Sequence, residues 1–189
     1  GRQVETPDYW LADGNPWELA RPDVQYRVCF GGTVEQVDGR AAWRPAQEVL
    51  ATAYDVIIPG YANEATKTLR LWSARAVEEL DLAAFNGGDY VRAASEKNLA
   101  ENITRVLYPD DSTPGGRELR LRQEYFFCAA SLQDLVARFF AAHDDAALLP
   151  THAAIHLNDT HPVLAIPELM RILIDQRLLP FAQAWEITQ

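Results

Sequence analysis

Lysine is almost absent from this chain: only Lys67 and Lys97 occur in 189 residues. The net charge is −10, and the arginines form no run. The clustered cations that a nucleic-acid backbone demands are therefore missing, and no nucleic-acid partner is expected. Cysteine is scarce too. Cys29 and Cys128 lie far apart in apolar surroundings with no close Cys or His. That excludes a disulfide framework and a zinc cluster, and reads as two buried free thiols of a cytoplasmic protein. No apolar run reaches the roughly 20 residues that span a bilayer. No basic-then-apolar opening marks a secretory signal. A Gly-rich phosphate loop, a nucleophile elbow, a paired-carboxylate glycosidase signal, a repeat and a low-complexity tract are all lacking.

What remains is the balance of a globular domain, with hydrophobic residues at 48% and charged residues at 23%. At 189 residues the chain can bury a real core. No clear pattern covers residues 1–10, and Asp13-Gly14-Asn15-Pro16 reads as a turn. Residues 22–50 read as β structure. Tyr26, Val28 and Phe30 alternate with Arg27 and Cys29, and a further strand follows over 33–37. Asp38-Gly39 is a hairpin signal. Strands are also expected over 53–58 and 67–74.

The remainder reads as mainly helical. A helix over 89–106 is favoured by propensity, but its apolar positions are sparse, which predicts that it projects instead of packing. Residues 108–116 form a loop rich in Pro, Asp, Ser and Gly. A long helix over 118–143 carries Leu119, Leu121, Phe126, Ala129, Leu132, Leu135, Val136 and Phe139 near the helical period. A connector over 144–152 leads to an apolar strand over 153–157, then a polar loop, then a helix over 167–177. The expectation is one partial α/β domain. Residues 1–75 are its β-rich segment, and residues 76–189 its mainly helical segment, with a β-loop-α unit at 153–177.

The polar loop is the candidate site. Asn158-Asp159-Thr160-His161-Pro162 leaves the end of an expected strand, where α/β folds place ligands. An extended backbone would point Asp159 and His161 to one side. From the residues alone, the favoured reading is a turn in which Asn158 and Asp159 cap the next helix, because turn-forming Asn and Asp are so common. His152, His156 and His161 with Asp159 cross a strand and a loop without clear ligand geometry, so no metal site is assigned.

Several collinear segments carry a family resemblance. They are Asn158 to Met170 (NDTHPVLAIPELM), Gly14-Asn15-Pro16-Trp17-Glu18, Pro59-Gly60-Tyr61, Leu69-Arg70-Leu71-Trp72-Ser73-Ala74 and Asn98-Leu99-Ala100-Glu101-Asn102-Ile103. To these are added Arg105-Val106-Leu107-Tyr108-Pro109, Glu118-Leu119-Arg120-Leu121 and Gln123-Glu124-Tyr125-Phe126. Together they resemble the α-glucan phosphorylases (glycogen, starch and maltodextrin) across essentially the whole chain.

The resemblance implies part of the N-terminal Rossmann-like domain of a two-domain GT-B glycosyltransferase. The whole protein would be a dimer that cleaves terminal α-1,4-linked glucose from glycogen, starch or maltodextrin with inorganic phosphate, giving glucose-1-phosphate. Its cofactor would be pyridoxal phosphate. The Schiff-base lysine is absent here, because neither Lys67 nor Lys97 lies in a matching segment. The fragment alone would be inactive. The resemblance further implies substrate-binding roles for Tyr108, Asp111, Arg120, Asp159 and His161, with Tyr108 stacking on a sugar and Arg120 pairing with Asp111 or Asp159. On residues alone, Arg120 could equally pair with Glu118 or Glu124. The helix over 89–103 would pack against a twofold partner.

The chain departs from the family in two places. Ser112-Thr113-Pro114 replaces an Asn and two aromatics of the muscle-type gate. Ala137-Arg138 keeps one of two arginines with which vertebrate members bind AMP, which implies an unregulated enzyme. The alternative is a non-catalytic carbohydrate-binding or interaction domain of the same fold. An enzyme acting on a nucleotide sugar is a third reading.

Overall fold

A computed structural model describes residues 15–189. Asp13 and Gly14 of the expected first turn lie outside the described residues. The chain forms two compact units. The described part of the first comprises residues 15–31 and 46–123, and the second comprises residues 32–45 and 124–189.

The first unit is built on an antiparallel sheet of order β1-β4-β5, from β1 (Glu18–Phe30), β4 (Gln47–Pro59) and β5 (Thr66–Ala76). β4 is central, so its backbone is paired on both edges. It buries Val49, Ala51, Thr52 and Ala53, and small side chains let neighbours approach both of its faces. Pro22 cannot donate to a ladder, and the β1–β4 register slips between Arg21 and Gln25 around it. Tyr26 meets Trp72 edge-on at 5.6 Å on this sheet.

Two helices follow, α1 (Leu82–Asn86) and α2 (Tyr90–Arg105). Asp81 and Asp89 cap them by accepting from the backbone N–H groups of Ala84 and Arg92. The expected projecting helix in fact packs on β5. It buries Ala93, Ala100 and Ile103. Alanines make a weak apolar stripe but a close one, and the Thr104 hydroxyl accepts from the Ala74 N–H at 3.0 Å.

The second unit contains the hairpin of β2 (Thr33–Val37) and β3 (Arg40–Arg44), most of α3 (Pro114–Phe140), α4 (Leu149–His152), α5 (Ala165–Arg171) and α6 (Phe181–Thr188). Asp38 and Gly39 have φ of 51° and 76°. Those are the left-handed conformations of a two-residue hairpin turn, as the Asp-Gly signal requires. The core of this unit gathers Leu132, Val136 and Phe139 of α3 with Leu169, Met170, Leu173, Ala184 and Ile187. α5 widens into a π-helical turn over Ile172–Gln176.

Three expectations are corrected here. The strand over 153–157 does not form. Ala153 is extended (φ −133°, ψ 134°), but no ladder involves this segment among the described residues. A parallel strand needs neighbours remote in sequence, whereas every described ladder is antiparallel. The fold is thus mixed α/β with small antiparallel sheets. The connector over 144–152 holds a 3-10 turn and α4 instead of loop alone. Cys29 is only partly buried, on β1 beside Glu48, whereas Cys128 is buried; neither is in a disulfide.

Candidate functional site

In the first unit, Tyr108, Asp111 and Arg120 come together. The loop that carries the first two is pinned by Gln123, a buried side chain. Its amide nitrogen donates to the carbonyls of Ile103 (2.8 Å) and Val106 (2.9 Å), and its carbonyl accepts from the Tyr108 N–H at 3.0 Å. This ties the end of α2 to the loop and holds Tyr108 at φ 52°. Such a left-handed residue persists only where its surroundings impose it. Arg120 Nη1 reaches Asp111 Oδ2 at 3.3 Å, and the same guanidinium lies 5.5 Å from the centre of the Tyr108 ring. Arg117 donates to the carbonyls of Asp111 and Ser112. Arg122 points elsewhere, to Gln47 and Glu118 and over Phe30, as two residues of separation on a helix demand.

The rest of this loop is ordered by short local bonds. Asp110 accepts from the Ser112 N–H at 2.7 Å, and the hydroxyl and N–H of Ser112 hold its carboxyl below the usual carboxylate range. Ser112 therefore braces the loop. Thr113 caps α3 by accepting from the Gly116 N–H, with Pro114 following. A β-carbon at Gly116 would run into the Asp110 carbonyl. Gly116→Ala is accordingly expected to displace this loop and destabilise the chain by about 1–3 kcal/mol. Thermal unfolding checks it, and an unchanged midpoint would count against the close approach.

In the second unit, Asp159, His161 and Glu124 form another cluster. Asp159 has φ 62°, so the loop is not extended there, and strand alternation is not what aligns it with His161. The turn itself does so. His161 Nε2 lies 3.6 Å from Asp159 Oδ2. Asp159 Oδ1 accepts from the Thr160 N–H at 2.7 Å, so Asp159 does not cap α5. Reverse turns at Thr160–Val163 and Pro162–Ala165 carry the chain into α5.

His161 Nδ1 sits 3.1 Å from Glu124 Oε1, and both side chains are about three-quarters covered, at 24% and 23% exposure. On sequence alone Glu124 reads only as an ion-pair partner for Arg120, and Gln123 carries no role of its own. Both lie in one of the matching segments, but only the folded chain shows what they hold. Nearby, burial pushes the Cys128 thiol up to about 11, and it remains a neutral donor to the Pro162 carbonyl.

Chemically, each cluster offers charged and polar groups to a hydroxyl-rich ligand. Asp111 and Asp159 can accept hydroxyl hydrogens, and the guanidinium and aromatic ring of the first cluster suit a sugar's polar edge and apolar face. Among the described residues no group of three His, Cys, Asp or Glu is placed to hold a metal. His152 Nδ1 is within 3.0 Å of its own helix carbonyl at Leu148, and His156 is exposed.

Neither lysine suits a Schiff base, which wants a shielded ε-amine. Lys67 is exposed on β5, and Lys97 lies 3.7 Å from Glu79 and 3.9 Å from Glu101 on the surface. Arg138 is a surface residue paired with Asp134 at 3.1 Å. A cleft of about 400 Å³ lined by Phe140, Asp144, Asp145, Arg177 and Gln183 contains none of the expected site residues. No described helix is long and apolar enough to cross a membrane.

The chain matches the carbohydrate phosphorylase family over residues 1–189. It is 54% identical over 189 residues to the glycogen phosphorylase of Pasteurella multocida and 52% identical over 189 residues to that of Haemophilus influenzae. Over 197 residues it is 52% identical to the liver form of glycogen phosphorylase from Bos taurus. Each alignment covers all of this chain and 23% of the relative, so the chain spans less than a quarter of the length of the proteins it matches.

Proposed function

We propose that this chain, which belongs to the carbohydrate phosphorylase family, forms one wall of the glucan cleft of an α-1,4-glucan phosphorylase. In the whole protein, a phosphate oxygen bonds to C1 of the terminal glucose of glycogen, starch or maltodextrin. The glycosidic C1–O bond breaks, and the departing oxygen takes a proton. Tyr108, Asp111 and Arg120 form one binding cluster, and Asp159 and His161 another. The whole protein is a cytoplasmic GT-B dimer, and α2, with Tyr90 and Val91 exposed, faces the partner subunit. This chain supplies part of the N-terminal Rossmann-like domain and does not turn over alone. Pyridoxal phosphate, which the family implies, does not fit either lysine of this chain, and its chemistry belongs to other parts of the protein.

The observation that carries this reading is the match across all 189 residues to proteins named glycogen phosphorylase. The Asp111–Arg120–Tyr108 cluster supports it. A carboxylate held by a cation beside an aromatic ring is suited to sugar hydroxyls and the C–H face of the ring.

The test is phosphate-dependent release of glucose-1-phosphate from maltoheptaose by the whole protein, with pyridoxal phosphate present. Release is expected. Asp111→Asn and His161→Ala should each lower kcat/KM by about tenfold to a hundredfold, the scale of one charge-assisted hydrogen bond. A folded, cofactor-loaded protein that releases none would overturn the reading.

A further inference from the structure

We infer that Gln123 is a positioning residue for the first cluster: its amide holds Tyr108 in a left-handed backbone conformation and so fixes the aromatic ring on which a glucose ring of the substrate stacks. That the ring serves a sugar rests on the reading above, whereas the hold on the backbone does not.

Gln123 is 3% exposed, so water cannot stand in for the partners of its side chain. Those partners make opposite demands. The carbonyls of Ile103 and Val106, at 2.8 Å and 2.9 Å, can only accept, and the Tyr108 N–H, at 3.0 Å, can only donate. A primary amide meets both demands at once, with two hydrogens on its nitrogen and lone pairs on its oxygen. An ionised glutamate has no hydrogen to donate, and a lysine or arginine has no acceptor. Asparagine is one carbon too short to keep the same reach.

The carbonyl of Ile103 is among the last four of α2, which have no partner within their own helix. α2 ends on Val106 in an extended conformation (φ −130°, ψ 123°), with no glycine to close it. Gln123 closes it from α3. The same side chain takes the N–H of Tyr108, two residues on, where the backbone is left-handed at φ 52°. A tyrosine leaves that conformation unless its surroundings impose it.

Arg120 lies about one helical turn before Gln123, on the same face of α3. Its guanidinium is 5.5 Å from the Tyr108 ring centre and 3.3 Å from the Asp111 carboxylate. One turn of α3 thus holds Tyr108 by its backbone through Gln123 and by its ring through Arg120. Without the first hold, Tyr108 relaxes toward right-handed or extended backbone, and its ring swings away from Arg120 and Asp111.

A ring that stacks equally on ground state and transition state contributes to binding and leaves the chemical step alone. Gln123→Met keeps the length of the side chain and removes its hydrogen bonds. In the whole protein it should raise KM for maltoheptaose about threefold to tenfold, the scale of one aromatic stack, and change kcat by less than about twofold. In a Tyr108→Ala background it should shift KM by less than about twofold, because no ring remains to be placed. A purely structural role predicts a lower apparent kcat at unchanged KM, with the same loss in both backgrounds. An unchanged KM, or an equal shift in both backgrounds, would overturn the inference.

Hydrogen–deuterium exchange tests the hold itself and needs no variant. Overlapping peptides across residues 104–112 isolate the Tyr108 amide, since Pro109 has none. In the native whole protein this amide should exchange at least about tenfold more slowly than an unstructured one. That protection should vanish in Gln123→Met. Exchange at the unstructured rate in the native protein would overturn the inference even if Gln123→Met failed to fold. A whole protein without phosphorolysis would instead overturn the function proposed above, and exchange at Tyr108 would still decide whether Gln123 holds it.

Discussion

Asp55→Ala is expected to lower the unfolding free energy by about 3 kcal/mol at neutral pH, at the lower end of the cost of breaking a buried ion pair. Asp55 is 4% exposed on the central strand, directly across from Arg70 on β5. Arg70 Nε donates to Oδ1 at 2.8 Å and its Nη2 to Oδ2 at 2.9 Å, a bidentate pair. Arg21 adds a third bond at 3.0 Å. The lower end applies because the arginines left behind are not stranded. Arg21 keeps Asp23, and Arg70 retains some exposure to water.

The pH dependence has a definite sign. The Arg70 hydrogen bonds, followed by the nearby positive charges, hold the Asp55 carboxyl below the usual carboxylate range in the folded chain. The unfolded chain therefore binds this proton more readily as pH falls. The stabilisation is complete above the ordinary carboxylate value of about 4 and disappears as pH drops through the depressed folded value. Urea unfolding at pH 7 and at pH 3 should show the gap between native chain and Asp55→Ala narrowing in acid. A gap below 1 kcal/mol at pH 7, or one that widens in acid, would refute the assignment.

Glu168→Ala should cost a similar amount, about 3 kcal/mol, by uncoupling a second buried carboxylate. Glu168 is 3% exposed in α5. Arg171 grips both of its oxygens, at 2.7 Å and 2.8 Å, and the Tyr125 hydroxyl donates at 3.0 Å. The Glu168 pair raises Arg171 above its ordinary value against the opposing effect of burial. That guanidinium also lies 5.5 Å from the Trp43 ring centre on β3. Loss of Glu168 thus leaves a mostly covered cation and a phenol without this acceptor. The same denaturant titration measures it. A cost within 0.5 kcal/mol of zero, the range of an ordinary surface substitution, would exclude a structural role for this trio.

Local chemistry was legible where it acts between near neighbours. Asp38-Gly39 required left-handed backbone and obtained it. The helix expected over 89–106 spans Tyr90–Arg105, and the one expected over 118–143 spans Pro114–Phe140, one turn earlier because Thr113 and Pro114 already make a helix start. The short helices α1 and α6 are not legible in the sequence, since five and eight residues carry too little periodicity. The apolar run at 153–157 reads as a strand on composition, yet a strand exists only through its partners.

The site divides in the same way. The collinear segments carried the family resemblance, and that resemblance implied Tyr108, Asp111, Arg120, Asp159 and His161 as site candidates, because motif order is a one-dimensional property. Within the first unit, folding joined Tyr108, Asp111 and Arg120. Within the second it set His161 against Asp159 through a left-handed turn instead of an extended strand. The contact between Glu124 and His161 spans 37 residues. So the sequence by itself determined the family, the charge balance, the turns and most helix positions, which depend on local sterics and on spacing. Tertiary structure alone decided which carboxylate meets which cation or imidazole, because that depends on how residues remote along the chain are brought within about 3 Å.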